Sequence, residues 1–425
     1  MVASFSFGAG NAAKLLRIPL YAAGRLLTLI VPRTRDEWVF GCGGGIGDGA
    51  LALWRIAADE GVDAVWLVEN DRDATDARAL GIPTLPKHSA AGFWRTARAR
   101  VIVITHGFGD VNRYAVSGGF VVQLWHGIPL KRIGVDSPET LRPPGIVRGT
   151  FLEAPARLLL GIMYRAASRR IDVLPAASHL VRGRLQSAFA LRDDAVPVTG
   201  EPRVDVLSAG EPRVRHQTAR ALIAEATGED LDDSTRIVLY APTWRDGEED
   251  PAIPDADAAA RIADLLDEQD AVLLIRSHPL GAGAYDISSP RVRMIGSDRL
   301  RDITPALPGV DVLITDYSSL AYDSSLVPMP VVYLAPDVTE YAQQRGFYGR
   351  YEDVAGDDWA RTWPEALAQL HGILSDPHER ERRVVRAEAL DAEVHAFSDG
   401  ESTRRVFDLV RLRVARADEP ARAAS

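Results

Sequence analysis

From Glu37 onward, short unbroken apolar runs alternate with longer stretches whose apolar residues return every three or four positions. Short continuous apolar runs predict strands buried on both faces, and the helical stretches between them predict crossover connections. Together they predict a mainly parallel sheet of βαβ units. Residues 38–40, 64–68, 101–105, 121–124, 171–174 and 196–199 read as strands of a first series. Residues 208–234, helical around 218–226, read as a linker. A second series follows, with strands at 237–240, 271–275, 312–315 and 330–334 and helices after Asp255, Ser318 and Trp363. A last helix at 401–415 can cross back to the first half, and 416–425 reads as a disordered tail.

With 425 residues the chain exceeds one ordinary core, and length favours two domains of roughly 150 to 200 residues. The expected division is a basic amphipathic segment at 1–35, a Rossmann-like domain at 36–207, the linker, and a second Rossmann-like domain at 235–400. Tandem halves of this kind leave a cleft faced by the C-terminal strand ends of both sheets, where chemistry is expected. No internal repeat of fixed period appears.

Composition narrows the function. A formal charge of −10 lacks the basic footprint of general nucleic-acid binding. Cys42 is the only cysteine, so neither an intrachain disulfide nor a cysteine-based zinc site can form. At the N-terminus, Lys14, Arg17, Tyr21, Arg25 and Thr28 project to one side of a helix, and Leu16, Leu20, Ala23, Leu27 and Ile30 to the other. Uncharged stretches such as 18–24 and 26–32 are far too short to span a bilayer. Two readings fit: a basic helix lying in the interface of an anionic membrane, and an amphipathic helix packed on its own domain. Pro19 interrupts either one. A second segment, 146–170, brackets the apolar run 158–164 with Arg148, Arg157, Arg165, Arg169 and Arg170.

Candidate chemistry gathers at predicted strand ends. The strand at 121–124 runs into Trp125, His126, Gly127, Ile128, Pro129, Leu130 and Lys131; an imidazole held there can take a proton from an attacking hydroxyl near neutral pH. The strand at 271–275 delivers Arg276, Ser277, His278 and Pro279 to the matching place, where a histidine can bind a phosphate or protonate a leaving oxygen. Thr315, Asp316, Tyr317, Ser318 and Ser319 end one strand and open a helix, a setting that suits a diphosphate. Thr243, Trp244 and Arg245 follow the first strand of the second series, and the Arg245 guanidinium can grip phosphate with two hydrogen bonds. Glu248, Glu249 and Asp250 read as a solvated acidic loop. Gly41, Gly43, Gly44, Gly45, Gly47 and Gly49 form a glycine-rich loop whose spacing does not fit the dinucleotide fingerprint; it reads as a flexible loop.

In their order these segments resemble the CDP-glycerol glycerophosphotransferase family, the teichoic acid primases and polymerases. The residues that carry the resemblance are QLWHGIPLK from Gln123, GEPRVD from Gly200, YAPTWRD from Tyr240, RSHP from Arg276, ITDYSS from Ile314, RGFY from Arg345, and Asp399-Gly400 with Arg405. The resemblance implies the GT-B fold, two facing Rossmann-like domains with a cleft between them, the first binding the acceptor and the second the nucleotide donor. It further implies peripheral attachment at the cytoplasmic face of the membrane, with a CDP-activated donor, a lipid-linked polymer acceptor and no nucleic acid as partners. His126 matches the catalytic base and His278 the second histidine, near the donor phosphates. Arg245, Thr243, Asp316, Ser318, Ser319 and Asp323 fall on the donor side, and Lys131 and Asp48 on the acceptor side. A CDP-alditol enters as substrate, no tightly bound cofactor is implied, and a divalent metal is left open. The chain departs from the family pattern at Asp48-Gly49, where many members carry Asp-Asn, and at Ser324-Ser325 after Asp323. Two rival expectations stand beside this one: a nucleotide-sugar glycosyltransferase or sugar 2-epimerase on the same architecture, and a non-catalytic membrane adaptor.

Overall fold

The computed structural model describes residues 18–33, 37–229, 231–232, 234–243, 250–277, 285 and 287–423. It divides into two compact units: one holds the described residues of 1–126, 133–205 and 401–425, the other those of 127–132 and 206–400.

In the first unit, β1 (Glu37–Phe40), β2 (Asp63–Val68), β3 (Thr84–Pro86), β4 (Val101–Ile104) and β5 (Phe120–Gln123) form one parallel sheet in the order β3-β2-β1-β4-β5. β1 and β4 are buried along their whole length, as a sheet covered on both faces requires. The runs at 171–174 and 196–199, expected as strands, make only single bridges, Val122 to Val173 and Ala176 to Val198. β3 was not expected: Thr-Leu-Pro is too short and too mixed to register as an apolar run.

The second unit repeats this winding. β6 (Arg236–Ala241), β7 (Ala271–Ile275), β8 (Val292–Met294), β9 (Val312–Thr315) and β10 (Val331–Tyr333) lie in the order β10-β9-β6-β7-β8, all parallel. In each sheet the chain starts at the centre, adds two strands on one side and crosses to the other. The reversal falls between β1 and β4, and between β6 and β9.

Two boundaries depart from expectation. Residues 208–234 contain the helix Pro212–Thr227, whose Ala219 and Ile223 are buried and whose Ala219 lies tightly against Gly309. It is therefore part of the second unit rather than a linker. The last helix runs Ser402–Ala423, past 415 and over most of the expected tail; that stretch is rich in Ala and Arg, strong helix formers. Its Val406, Phe407 and Val410 belong to the first unit's core with Trp38, Phe40 and Trp66. Asp205 fastens its start, accepting from Ser402 N at 3.0 Å, Thr403 N at 2.6 Å and Thr403 Oγ1 at 2.6 Å. A carboxylate at a helix N-terminus satisfies open amides and meets the positive end of the dipole.

The helix Ile18–Ile30 turns its small and polar side inward. Gly24 and Thr28 are buried, Gly24 so close to Tyr114 O that a Cβ would stand 2.3 Å away, and the Tyr21 ring lies 5.0 Å from that of Tyr114. Leu20, Leu26, Leu27, Leu29 and Ile30 are exposed, so the apolar side is not the side packed on the domain. Arg33, just beyond the helix, is drawn inside, donating to Thr96 O, Ala99 O, Ala115 O and Ser117 O. Burial, and then Arg100, lower its pKa to about 10. On the helix Glu153–Ser168, Leu158, Leu159 and Ile162 are exposed, with Phe151 and Leu152 just ahead of it. Burial, and then Arg25, lower the pKa of Arg170. Among the described residues no helix is long and apolar enough to cross a membrane.

Candidate active site

β5 ends in a turn that few side chains tolerate. Trp125 adopts φ 62, a left-handed conformation costly for a bulky residue and characteristic of functional positions. The turn lays the His126 imidazole against two rings: Trp125 at 4.1 Å between centroids, and His106 at 4.4 Å with 13° between planes. Phe189 meets Trp125 edge-on at 5.0 Å.

His106 follows β4 and was missed in the sequence. A signal was there: His106-Gly107 after β4 is repeated as His126-Gly127 after β5, and both glycines take positive φ, 148 and 133. Its position is fixed by Asp110, buried one turn on, whose Oδ2 accepts from Thr105 N at 2.9 Å, His106 N at 2.7 Å and Gly107 N at 3.3 Å. Thr105 Oγ1 lies 2.7 Å from His106 Nδ1 and 3.3 Å from the same carboxylate oxygen. The Gln123 side chain donates to Thr105 O at 2.7 Å, joining the ends of β4 and β5. Lys87, after β3, donates to Gly109 O at 2.8 Å and pairs with Glu69. Despite its partial burial, Glu69 is held below the usual carboxylate range by Lys87 and His88.

The glycine-rich loop after β1 is packed rather than flexible. A Cβ on Gly41 would lie 2.2 Å from Asp110 O, and one on Gly43 2.7 Å from His106 Cγ, so the loop lets the β4 loop pass directly against it. Burial, then Asp48 and Asp110, push the Cys42 thiol far up, leaving it protonated and poorly nucleophilic. Asp48, at φ 59, accepts from Gly49 N at 2.6 Å and pairs with Arg203 at 3.4 Å. The GEPRVD segment is thus architectural in two places, Arg203 on Asp48 and Asp205 on the last helix.

Lys131 falls with the second unit. Its backbone bridges Phe347, while Arg132 N donates to Gly346 O and Tyr348 N to Leu130 O, each at 2.9 Å. The segment 127–132 is thereby sewn to the RGFY motif.

In the second unit the ends of β6 and β9 are joined by Asp316. Its Oδ1 accepts from Thr243 N at 2.8 Å and Tyr317 N at 2.6 Å, and Thr315 Oγ1 donates to Ala241 O at 2.7 Å. Asp316, expected on the donor side, is 3% exposed, and this oxygen accepts from backbone amides. Asp323, also expected on the donor side, lies on the helix Leu320–Ser325, which is buried along its whole length, and is itself 0% exposed. Ser324 and Ser325 donate to Ala321 O and Tyr322 O of the same helix, so the departure from the family pattern there is a matter of core packing. Ser318 and Ser319 are half-buried at the start of that helix, where Ser318 Oγ accepts from Leu320 N at 3.2 Å. Arg276 is half-buried and donates to Ile295 O, Leu300 O and Arg301 O, a structural clamp. Trp244, Arg245, Glu248, Glu249, His278 and Pro279 lie outside the described residues.

The fold and the sequence both resemble those of known proteins. The wall teichoic acid polymerase TagF superposes with a TM-score of 0.72 over 99% of this chain and 100% of the TagF chain, at 20% identity. The teichoic acid glycerol-phosphate transferase of Staphylococcus aureus is 27% identical over 279 residues, 64% of this chain and 66% of that protein. The teichoic acid poly(glycerol phosphate) polymerase of Staphylococcus epidermidis is 29% identical over 257 residues, 58% of this chain and 33% of that protein. The chain thus spans between a third and two thirds of the length of these two relatives. The family model described as CDP-glycerol:poly(glycerophosphate) glycerophosphotransferase matches residues 43–412, and the chain belongs to that family.

Proposed function

We propose that this protein moves a glycerol-phosphate or related alditol-phosphate unit from a CDP-activated donor to a lipid-linked polymer acceptor at the cytoplasmic face of the membrane, releasing CMP, in the synthesis of a teichoic-acid-like polymer. The observation that carries this reading is the His126 imidazole, set on a strained turn and steadied by two rings, in a chain of this family. The acceptor hydroxyl gives its proton to His126. Its oxygen bonds to the β-phosphorus, the bond from that phosphorus to the bridging oxygen breaks, and CMP leaves with the bridging oxygen. The donor's ligands are Thr243, Ser318 and Ser319, with Arg245 and His278 meeting the charge that builds on the phosphates. Stabilising that charge is usually the largest catalytic term. Lys131 serves on the acceptor side, and the reaction as written needs no tightly bound cofactor.

Membrane attachment is supported by the exposed leucines of Ile18–Ile30 and Glu153–Ser168, bordered by Arg25, Arg157, Arg165, Arg169 and Arg170. Apolar side chains flanked by arginine suit the interface of an anionic bilayer.

Incubating the protein with CDP-glycerol, CDP-ribitol and UDP-sugars, and measuring the nucleotide released, tests the reading. CMP from a CDP-alditol, dependent on acceptor, is the expected result. Release of UDP alone would replace the reading with a glycosyltransferase, and no release from any donor would leave a membrane adaptor.

A further inference from the structure

We propose that His106 is a positioning residue for His126: its ring, stacked on the His126 imidazole and pinned from behind, holds that imidazole where it can take the acceptor's proton. The inference rests on the assignment of His126 as base.

A general base works only when its lone pair is aimed at the proton it removes, and an imidazole on a turn has two side-chain torsions through which to lose that aim. Trp125 comes from the same turn and moves with it. His106 comes from the neighbouring strand and gives an independent fixed surface, nearly parallel to the His126 ring. It is itself held at three points: its amide on Asp110 Oδ2 at 2.7 Å, its Nδ1 against Thr105 Oγ1 at 2.7 Å, and its ring against the backbone of Gly43. Behind these lies the turn that Lys87 fastens through Gly109 O. Ring stacking between parallel aromatic planes at this separation is attractive. A side chain needed only to fill space would not require a hydrogen-bonded ring nitrogen, a buried carboxylate beneath its amide and a glycine under its face.

The test uses the full-length protein with CDP-glycerol as donor. His106→Ala should lower kcat about 10- to 100-fold, as a slight misplacement of a catalytic group does, while the KM for donor stays within about twofold of wild type because no donor contact is lost. His106→Phe keeps a flat ring without the nitrogen and should restore most of kcat. Thr105→Val, which frees the ring nitrogen, should fall between the two. A His106→Ala variant with wild-type kcat, or a His106→Phe variant as slow as His106→Ala, would overturn the inference. A second readout does not depend on turnover: in protein labelled with 13C at histidine, the His126 signal, assigned by its loss in His126→Ala, should move in His106→Ala and move less in His106→Phe. An unmoved signal also refutes the stacking role. If instead wild type and His126→Ala release CMP equally, the base assignment has failed, and the resonance measurement alone decides whether the ring pair exists.

Discussion

Both sheets are wound in the same order, and at the reversal each places a buried carboxylate that gathers backbone amides: Asp110 beside β4 and Asp316 beside β9. What the loops then carry is different. In the first unit Asp110 props up a histidine that leans on another histidine. In the second, Asp316 holds Thr243 and the turn before Ser318 and Ser319, which offer hydroxyls and amides but, among the described residues, no imidazole. The winding makes the place and the carboxylate stiffens it, while the chemistry is set by one or two residues that the stiffened loop presents.

The strongest way to break this comparison is His126→Ala. Turnover should fall by roughly 10² to 10⁴ with the melting temperature nearly unchanged; steady-state rates beside a thermal melt decide it, and near-normal turnover would remove the chemical distinction between the units. The shared part can be broken next. Asp110→Ala strands three amides and should cost about 3 kcal/mol, whereas Asp316→Ala strands two amides and should cost about 2 kcal/mol. Urea unfolding measures both, and a loss in one but not the other would end the parallel. A smaller effect is expected at Gly43→Ala, where the new methyl meets the His106 ring; kcat should fall about tenfold if the ring yields by a few tenths of an ångström. Placing the same methyl at Gly183, where a Cβ meets nothing, is the control.

The smallest prediction concerns stability in acid. Glu379 is held at about 2, first by the Arg382 hydrogen bond and then, against some burial, by Arg383. Its folded pKa lies below the unfolded value of roughly 4.3, so its contribution is present above about 4.3 and is lost as pH falls towards 2. Because the site is largely solvated, that contribution is below about 1 kcal/mol. Between pH 5 and 2.5 the wild-type melting temperature should fall slightly more steeply than that of Glu379→Gln, and parallel curves would dismiss the effect.

Much of this was legible in the sequence where physics acts locally. Val101–Ile104 and Ala271–Ile275 are apolar throughout because both faces of a parallel strand are buried, and their spacing announced two sheets. His126 stood out because a strand, a histidine and a glycine met in a row. At Asp316 and Asp323 a motif names residues without saying which way they point: one oxygen of Asp316 accepts from Thr243 N and Tyr317 N, and Asp323 lies on a buried helix. His106 stayed hidden for a related reason: the His-Gly pair repeated after β4 and β5 does not say that the two rings stack. The glycine-rich loop looked loose for want of side chains, yet it lacks them because another loop occupies their space.

The fastening of Ser402–Ala423 to Asp205 and to the core around Trp38 bears on how the molecule is made. A nascent chain that has emerged only as far as Gly400 already holds every strand of both sheets, but the Trp38 side of the first sheet still lacks Val406, Phe407 and Val410. The first unit's core therefore closes only once the helix Ser402–Ala423 has been made, and until then its unclosed apolar surface is the natural target for a chaperone.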